Sequence, residues 1–148
     1  MDKNVFIENL RNLISGETDT TAVLANTAAY IKEVYGWFWI GFYIVKEEEL
    51  VLGPFQGSVA CYRIKKGRGV CGTSWQKNAT IVVPDVEEFP GHIACSSLSK
   101  SEIVVPLHNR QGNVCAVLDI DSDQLATFGS AEQEVLEAAA QVVEEQVF

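Results

Sequence analysis

The sequence predicts an α+β domain: a central, mainly antiparallel sheet with helices from both ends of the chain packed on it. Three observations carry this. Apolar residues recur at helical spacing near both ends, as Phe6, Leu10, Leu13 and Ile14, and again as Val135, Leu136, Ala139, Val142 and Val143. The period changes at WFWIGFYIV, 37–45, where aromatic and β-branched residues take over, as in a strand covered on both faces. The apolar runs that follow are joined by turns too short for helical crossovers, so neighbours pair antiparallel.

Residues 3–14 form the first helix. SGETDTT interrupts, and its Asp and Thr residues can cap a second helix whose Leu24, Ala28, Ile31 and Tyr35 share a face and which Gly36 ends. The EEE at 47–49 reads as a solvated turn between 37–45 and LVLGPF. VACYRI is a shorter extended stretch. GRGVCGTSWQKN reads as a glycine-rich turn entering a short helix that stops near Asn78. TIVVPDV is a strand stopped at Pro84. A polar loop over 85–101 leads to EIVVPL and VCAVLDID, two strands around the HNRQGN turn. Ser130 and Gln133 match a capping box for the last helix.

The 148 residues suit one domain, 1–148, with 47% hydrophobic residues to supply its core. No apolar run approaches the roughly 20 residues that span a bilayer. MDKNVFIENLRNLI lacks the order of a signal peptide, so the expected location is cytoplasmic. The net charge of −9 argues against nucleic acid or an anionic membrane as partner, and the basic cluster RIKKGR reads as a solvated turn.

The chemistry-bearing residues fall into three groups. Cys61, Cys71 and Cys95 lie in loops or at strand ends beside small residues, whereas Cys115 lies in the apolar strand NVCAVLD and reads as core. Two loop thiols that reach bonding distance form a redox pair, and a third adds another resolver. The bland reading is three unrelated small loop residues. A zinc site from Cys61, Cys71, His92 and Cys95 is disfavoured, because the spacing matches no common finger.

The second group is acidic. Glu102 leads EIVVPL, and Asp119 and Asp121 alternate with apolar residues, which puts both aspartates on one sheet face. Buried together, they share protons and at least one pKa rises. The alternative is a strand end with its acids in water. The third group is aromatic: Trp39 and Tyr43, four apart, share a face and can wall a small pocket. His92 lies three residues before Cys95 and reads either as a base for its thiol or as a loop anchor, the second being favoured.

Taken in order, WIGFY, LGPFQG, ACYRI, GRGVCGT, PDVEEFPGHIACSSLSKSEIVVPL and VLDIDS resemble the free methionine-(R)-sulfoxide reductases, a family built on a single GAF domain. The resemblance implies reduction of free L-methionine (R)-sulfoxide to methionine, with no cofactor and no metal. It implies Cys95 as nucleophile, left as a sulfenic acid. Cys61 is then the main resolving thiol, forming a disulfide with Cys95, and Cys71 is an alternative or second-stage resolver. Thioredoxin is the implied reductant, and Cys115 has no implied role.

Glu102, Asp119 and Asp121 are similar to the acids that contact substrate, with Glu102 as the acid that protonates the sulfoxide oxygen. Trp39 and Tyr43 resemble the wall against the methyl and thioether. Backbone N–H groups around 93–97 are expected to hold the substrate carboxylate. A homodimer through aromatic surface near the N-terminal helices is a further expectation. The competing reading is a non-catalytic GAF module that binds a small ligand or senses redox state.

Overall fold

Two aspartates start the first two helices in the computed structural model, which describes residues 1–93 and 95–148. The Asp2 carboxylate accepts the N–H groups of Asn4 and Val5 and opens α1, Lys3–Ile14. Asp19 accepts from Ala22 and opens α2, Thr20–Tyr35, which Gly36 ends in a left-handed conformation, φ 69°. On α1 the buried stripe is Phe6, Leu10 and Ile14. Leu13, expected on that face, is 46% exposed, because the packed stripe is one residue narrower than the apolar pattern.

The strands are β1 Trp39–Lys46, β2 Glu49–Gln56, β3 Arg63–Lys65, β4 Ile81–Val83, β5 Ser101–His108 and β6 Val114–Ser122, with α3, Gly69–Lys77, between β3 and β4. They form one sheet in the order β3-β2-β1-β6-β5-β4, every pair antiparallel. Hairpins make the β1–β2 and β5–β6 pairs. The central β1–β6 pair joins the first strand to the last, and only the folded chain creates it.

One sheet face, with Ile40, Phe42, Ile103, Leu118 and Ile120, packs under α1, α2 and α4, Ser130–Val147. The other, with Trp39, Tyr43, Val104 and Val117, packs against Val70, Cys71 and Trp75 of α3. β1 is thus covered on both sides, as its unbroken apolar run predicts.

Two expectations change. VACYRI is extended only from Arg63: its first half is a loop, because side chains of β1 take two of the loop's carbonyls, Ser58 and Cys61. The last helix is capped one residue earlier than the Ser130–Gln133 pattern suggests. Gly129 is the N-cap, and its N–H donates to the Glu132 carboxylate at 2.8 Å. Glycine has no side chain to return the bond, so half of a capping box forms.

Candidate active site

The register of the three central strands assembles the acids. Trp39 of β1 lies opposite Asp121 of β6, and Asp121 opposite Glu102 of β5. In the next row Gly41 lies opposite Asp119, and Asp119 opposite Val104. Directly opposed side chains share a face, so Trp39, Asp119, Asp121 and Glu102 project together toward α3. Glu102 and Asp119 are 5% and 6% exposed, and Asp121 is half-buried. The solvated strand end considered from the sequence is therefore not what forms.

Burial with no Lys or Arg paired to them among the described residues changes how these groups hold protons. Desolvation, then the Asp121 charge, push Glu102 up to about 8, against a hydrogen bond with Asp119 that pulls the other way. Asp119 and Asp121 are also raised well above the carboxylate range, first by burial and then by the neighbouring acid. Near neutrality the three acids hold protons as a group. Asp119 Oδ1 is buried with no hydrogen-bond partner among the described residues, an acceptor left open beside the pocket.

Cys71, on the first turn of α3, is 4% exposed, and its Sγ lies within 4.8 Å of carboxylate oxygens of Glu102 and Asp119. Burial, then these two acids, push its thiol up, so it stays protonated and is a poor nucleophile in this position.

Across the pocket, Cys61 of the β2–β3 loop is joined to Cys95 of the β4–β5 loop, with Cα atoms 5.8 Å apart. This is the disulfide that the resemblance implies. It spends two of the four donors of the disfavoured zinc quartet. Cys115 stands apart on β6, half-buried, its thiol donating to the Leu107 carbonyl at 3.6 Å and pushed up to about 11, chiefly by burial.

Trp39 and Tyr43 both line the pocket, as their spacing predicts, with ring centroids 6.2 Å apart. They also hold the loop that carries Cys61. Trp39 Nε1–H donates to the Ser58 carbonyl at 2.9 Å, and the Tyr43 hydroxyl donates to the Cys61 carbonyl at 2.8 Å. Gly41 makes room for the indole: a Cβ there would lie 2.6 Å from the Trp39 ring and 2.4 Å from Phe55 Cβ.

His92 is the residue whose contact the sequence did not specify. It lines the same pocket, with Nε2 3.3 Å from Glu102 Oε1 and both side chains largely buried. Burial lowers its pKa, with Asp119 opposing, which favours neutral imidazole beside a protonated carboxyl. The only sequence signal was its place in the Cys95 loop; its contact in the fold is Glu102, while Cys95 is held in the disulfide.

Of the loop N–H groups expected to hold a carboxylate, that of Ala94 lies outside the described residues. That of Cys95 is spent on the Ile93 carbonyl at 3.1 Å. Arg68, at the start of α3, supplies a cation to the pocket wall that the sequence reading did not single out. The pocket has an empty volume of about 550 Å³, its open mouth included, and Ser96 and Ser99 sit on its rim. The pocket lies between the Cys61–Cys95 disulfide on one side and the buried carboxyls of Glu102 and Asp119 on the other.

The GAF domain family model matches residues 19–147. The chain is 57% identical over 131 residues to "GAF domain-containing protein A" of Dictyostelium discoideum, covering 88% of this chain and 82% of that one. It is 44% identical over 141 residues to the free methionine-R-sulfoxide reductase of Escherichia coli K12, covering 92% and 85%. The crystal structure of free methionine-R-sulfoxide reductase from Neisseria meningitidis in complex with its substrate superposes with a TM-score of 0.94 at 50% identity, covering 97% and 87%. With a complete GAF fold, a loop disulfide facing buried acids, and relatives of this name aligned over most of its length, the chain belongs to the GAF-domain free methionine-R-sulfoxide reductases.

Proposed function

We propose that this pocket reduces free L-methionine (R)-sulfoxide to methionine. The observation that carries the reading is the placement of Cys95, on an exposed loop disulfide, in one small pocket with the buried acids Glu102 and Asp119. In the reduced enzyme the Cys95 thiolate attacks the sulfoxide sulfur while Glu102 gives its proton to the sulfoxide oxygen. The hydroxyl then passes to the Cys95 sulfur as the sulfoxide S–O bond and the new bond between the two sulfurs break, leaving a sulfenic acid on Cys95 and free methionine. The Cys61 thiol then attacks the Cys95 sulfur, water carries off the hydroxyl, and the disulfide forms. Two thiols are oxidised, one sulfoxide is reduced and one water is made.

The low polarity around Glu102 favours the neutral acid that can donate to an oxygen. Asp119 and Asp121 hold the substrate ammonium and direct the shared proton. Trp39 and Tyr43 pack the methyl and thioether, and shape discrimination there selects one sulfoxide hand. Cys61 is the main resolver because it is half-buried at the loop, while Cys71 is walled in behind the acids and stands second in line.

We place the enzyme in the cytoplasm with thioredoxin as its reductant, a dithiol supplying the two electrons. Its free Cys71 and Cys115 fit a reducing compartment, and no described helix is long and apolar enough to cross a membrane. The assembly proposed is a homodimer. The aromatic residues near the N-terminal helices stack on one another, Phe6 on Tyr30 and Tyr35 on Trp37, so the outward Val5 and Leu13 of α1 offer the apolar contact instead.

The test is consumption of NADPH with thioredoxin and thioredoxin reductase on adding free methionine (R)-sulfoxide. Substrate-dependent oxidation supports the reading. Its absence, with the disulfide still reducible by dithiothreitol, removes the thioredoxin step; no methionine formed with dithiothreitol either removes the activity.

A further inference from the structure

The reaction as written leaves two protons unaccounted for at the residue level. Cys95 must lose one before it attacks, and Glu102, 5% exposed, must regain one after every turnover. A buried acid with no route to a proton would fire once. His92 is the one imidazole in the pocket, it is on the Cys95 loop three residues away, and its Nε2 is 3.3 Å from Glu102 Oε1.

We propose that His92 is a proton-relay residue that moves the Cys95 thiol proton to Glu102. The inference rests on the reductase reading above and extends it. Neutral His92 accepts the proton as the thiol becomes thiolate. Glu102 gives its own proton to the sulfoxide oxygen, and the imidazolium then reprotonates the Glu102 carboxylate. The proton cycle closes within the site: one leaves sulfur, one reaches oxygen, and none is drawn from solvent. The resolving step balances separately, since the Cys61 thiol proton departs in the water.

The surroundings suit the relay. Groups facing Glu102 are Asp119 and Asp121 from β6, Cys71 from α3, Tyr43 from β1 and His92 from the loop, with Arg68 on the pocket wall. β4 contributes only Ile81 and Val83 on that side. Among these, Cys71 and Tyr43 hold their protons tightly, and the aspartates bind them as acids of the same shared set. Imidazole alone exchanges protons readily in both directions near neutrality. Because His92 and Cys95 share a loop, opening the disulfide releases nucleophile and relay together.

The experiment is single-turnover methionine formation by pre-reduced wild type, His92→Gln and His92→Ala, from pH 6 to 9, with and without added imidazole. Diamide-driven formation of the Cys61–Cys95 disulfide reports the loop's integrity. The expected result is a loss of roughly 10²-fold in both variants at neutral pH. The loss narrows as pH rises toward the range where the free thiol ionises unaided, and imidazole restores His92→Ala in proportion to its concentration. Rates equal to wild type would overturn the relay. So would a loss that is uniform with pH and unmoved by imidazole, or failure of both variants to form the disulfide, each of which marks His92 as a structural anchor. A wild type that forms no methionine would overturn the reductase reading itself, a result distinct from all of these.

Discussion

Glu102 and Asp121 face each other directly across the β5–β6 pair, with no cation from the described side chains paired to either carboxylate. Two acids in one row of a covered sheet cannot both ionise cheaply. That arrangement stores a proton at the acid end of the pocket, and most of the expected behaviour of the site follows from it.

Removing the acid should slow chemistry and stabilise the fold. Burial raises the Glu102 pKa from 4.5 to about 8, so between these values the folded state keeps a proton that the unfolded chain releases. The favourable contribution is complete below about pH 4.5 and is lost as pH rises through about 8. Glu102→Gln is neutral throughout. Its stability advantage over wild type should therefore grow from pH 5 to pH 8.5 in urea titrations, while single-turnover methionine formation falls by roughly 10²-fold. Wild-type turnover in this variant would remove Glu102 from the acid role.

The same proton sets an alkaline limit. Single-turnover formation by the reduced enzyme should decline as pH passes about 8, where Glu102 empties, even though more thiolate is present there. Stopped reactions analysed for methionine across pH 6 to 10 check this. A rate that keeps climbing above pH 9 would make thiolate supply the only pH-dependent step.

The three cysteines should separate by assay. Cys95→Ser abolishes the first turnover. Cys61→Ser keeps one turnover and slows recycling by thioredoxin. Cys71→Ser stays within a few-fold of wild type in both, because the resolving bond joins Cys61 to Cys95 and Cys71 is buried. Mass spectrometry of the oxidised proteins identifies the bond in each case.

Tyr43→Phe deletes the hydroxyl that holds the Cys61 carbonyl at 2.8 Å. The expected cost is about 1 kcal/mol of stability. Disulfide formation should slow more than the first turnover, since the loop bearing the resolver loosens while the pocket acids stay in place. Quenched-flow trapping of free thiols distinguishes the two steps.

Gly41→Ala puts a methyl 2.4 Å from Phe55 Cβ and 2.6 Å from the Trp39 ring, and neither neighbour is the free end of a flexible chain. A loss of about 1–3 kcal/mol in denaturant titrations is expected, as for other overpacked sites. KM for the sulfoxide should rise as the indole is displaced from the pocket wall.

Features that depend on neighbours along the chain were legible in its sequence. Asp19 and Gly36 bound α2 as their cap chemistry predicts. The period of two placed Asp119 with Asp121, and Trp39 with Tyr43, on single faces before any strand was paired. Ser130 misled because the capping pattern allows two registers, and burial of Phe128 against Trp37 leaves Gly129 as the last extended residue before the helix. The contact of His92 was not legible because its partner is ten residues away on a strand whose register a local pattern does not specify.

By itself, then, the sequence determined the elements, the facing of side chains within each strand and, through ordered motifs, the family. Tertiary structure decided which faces meet. Setting β1 beside β6 and β6 beside β5 put Trp39, Asp121 and Glu102 in one row, and the loops above brought Cys61, His92 and Cys95 onto it. The physical reason is range: helix caps and strand periodicity act over a few residues, whereas burial of an acid and the proton it retains exist only once distant strands have closed around it.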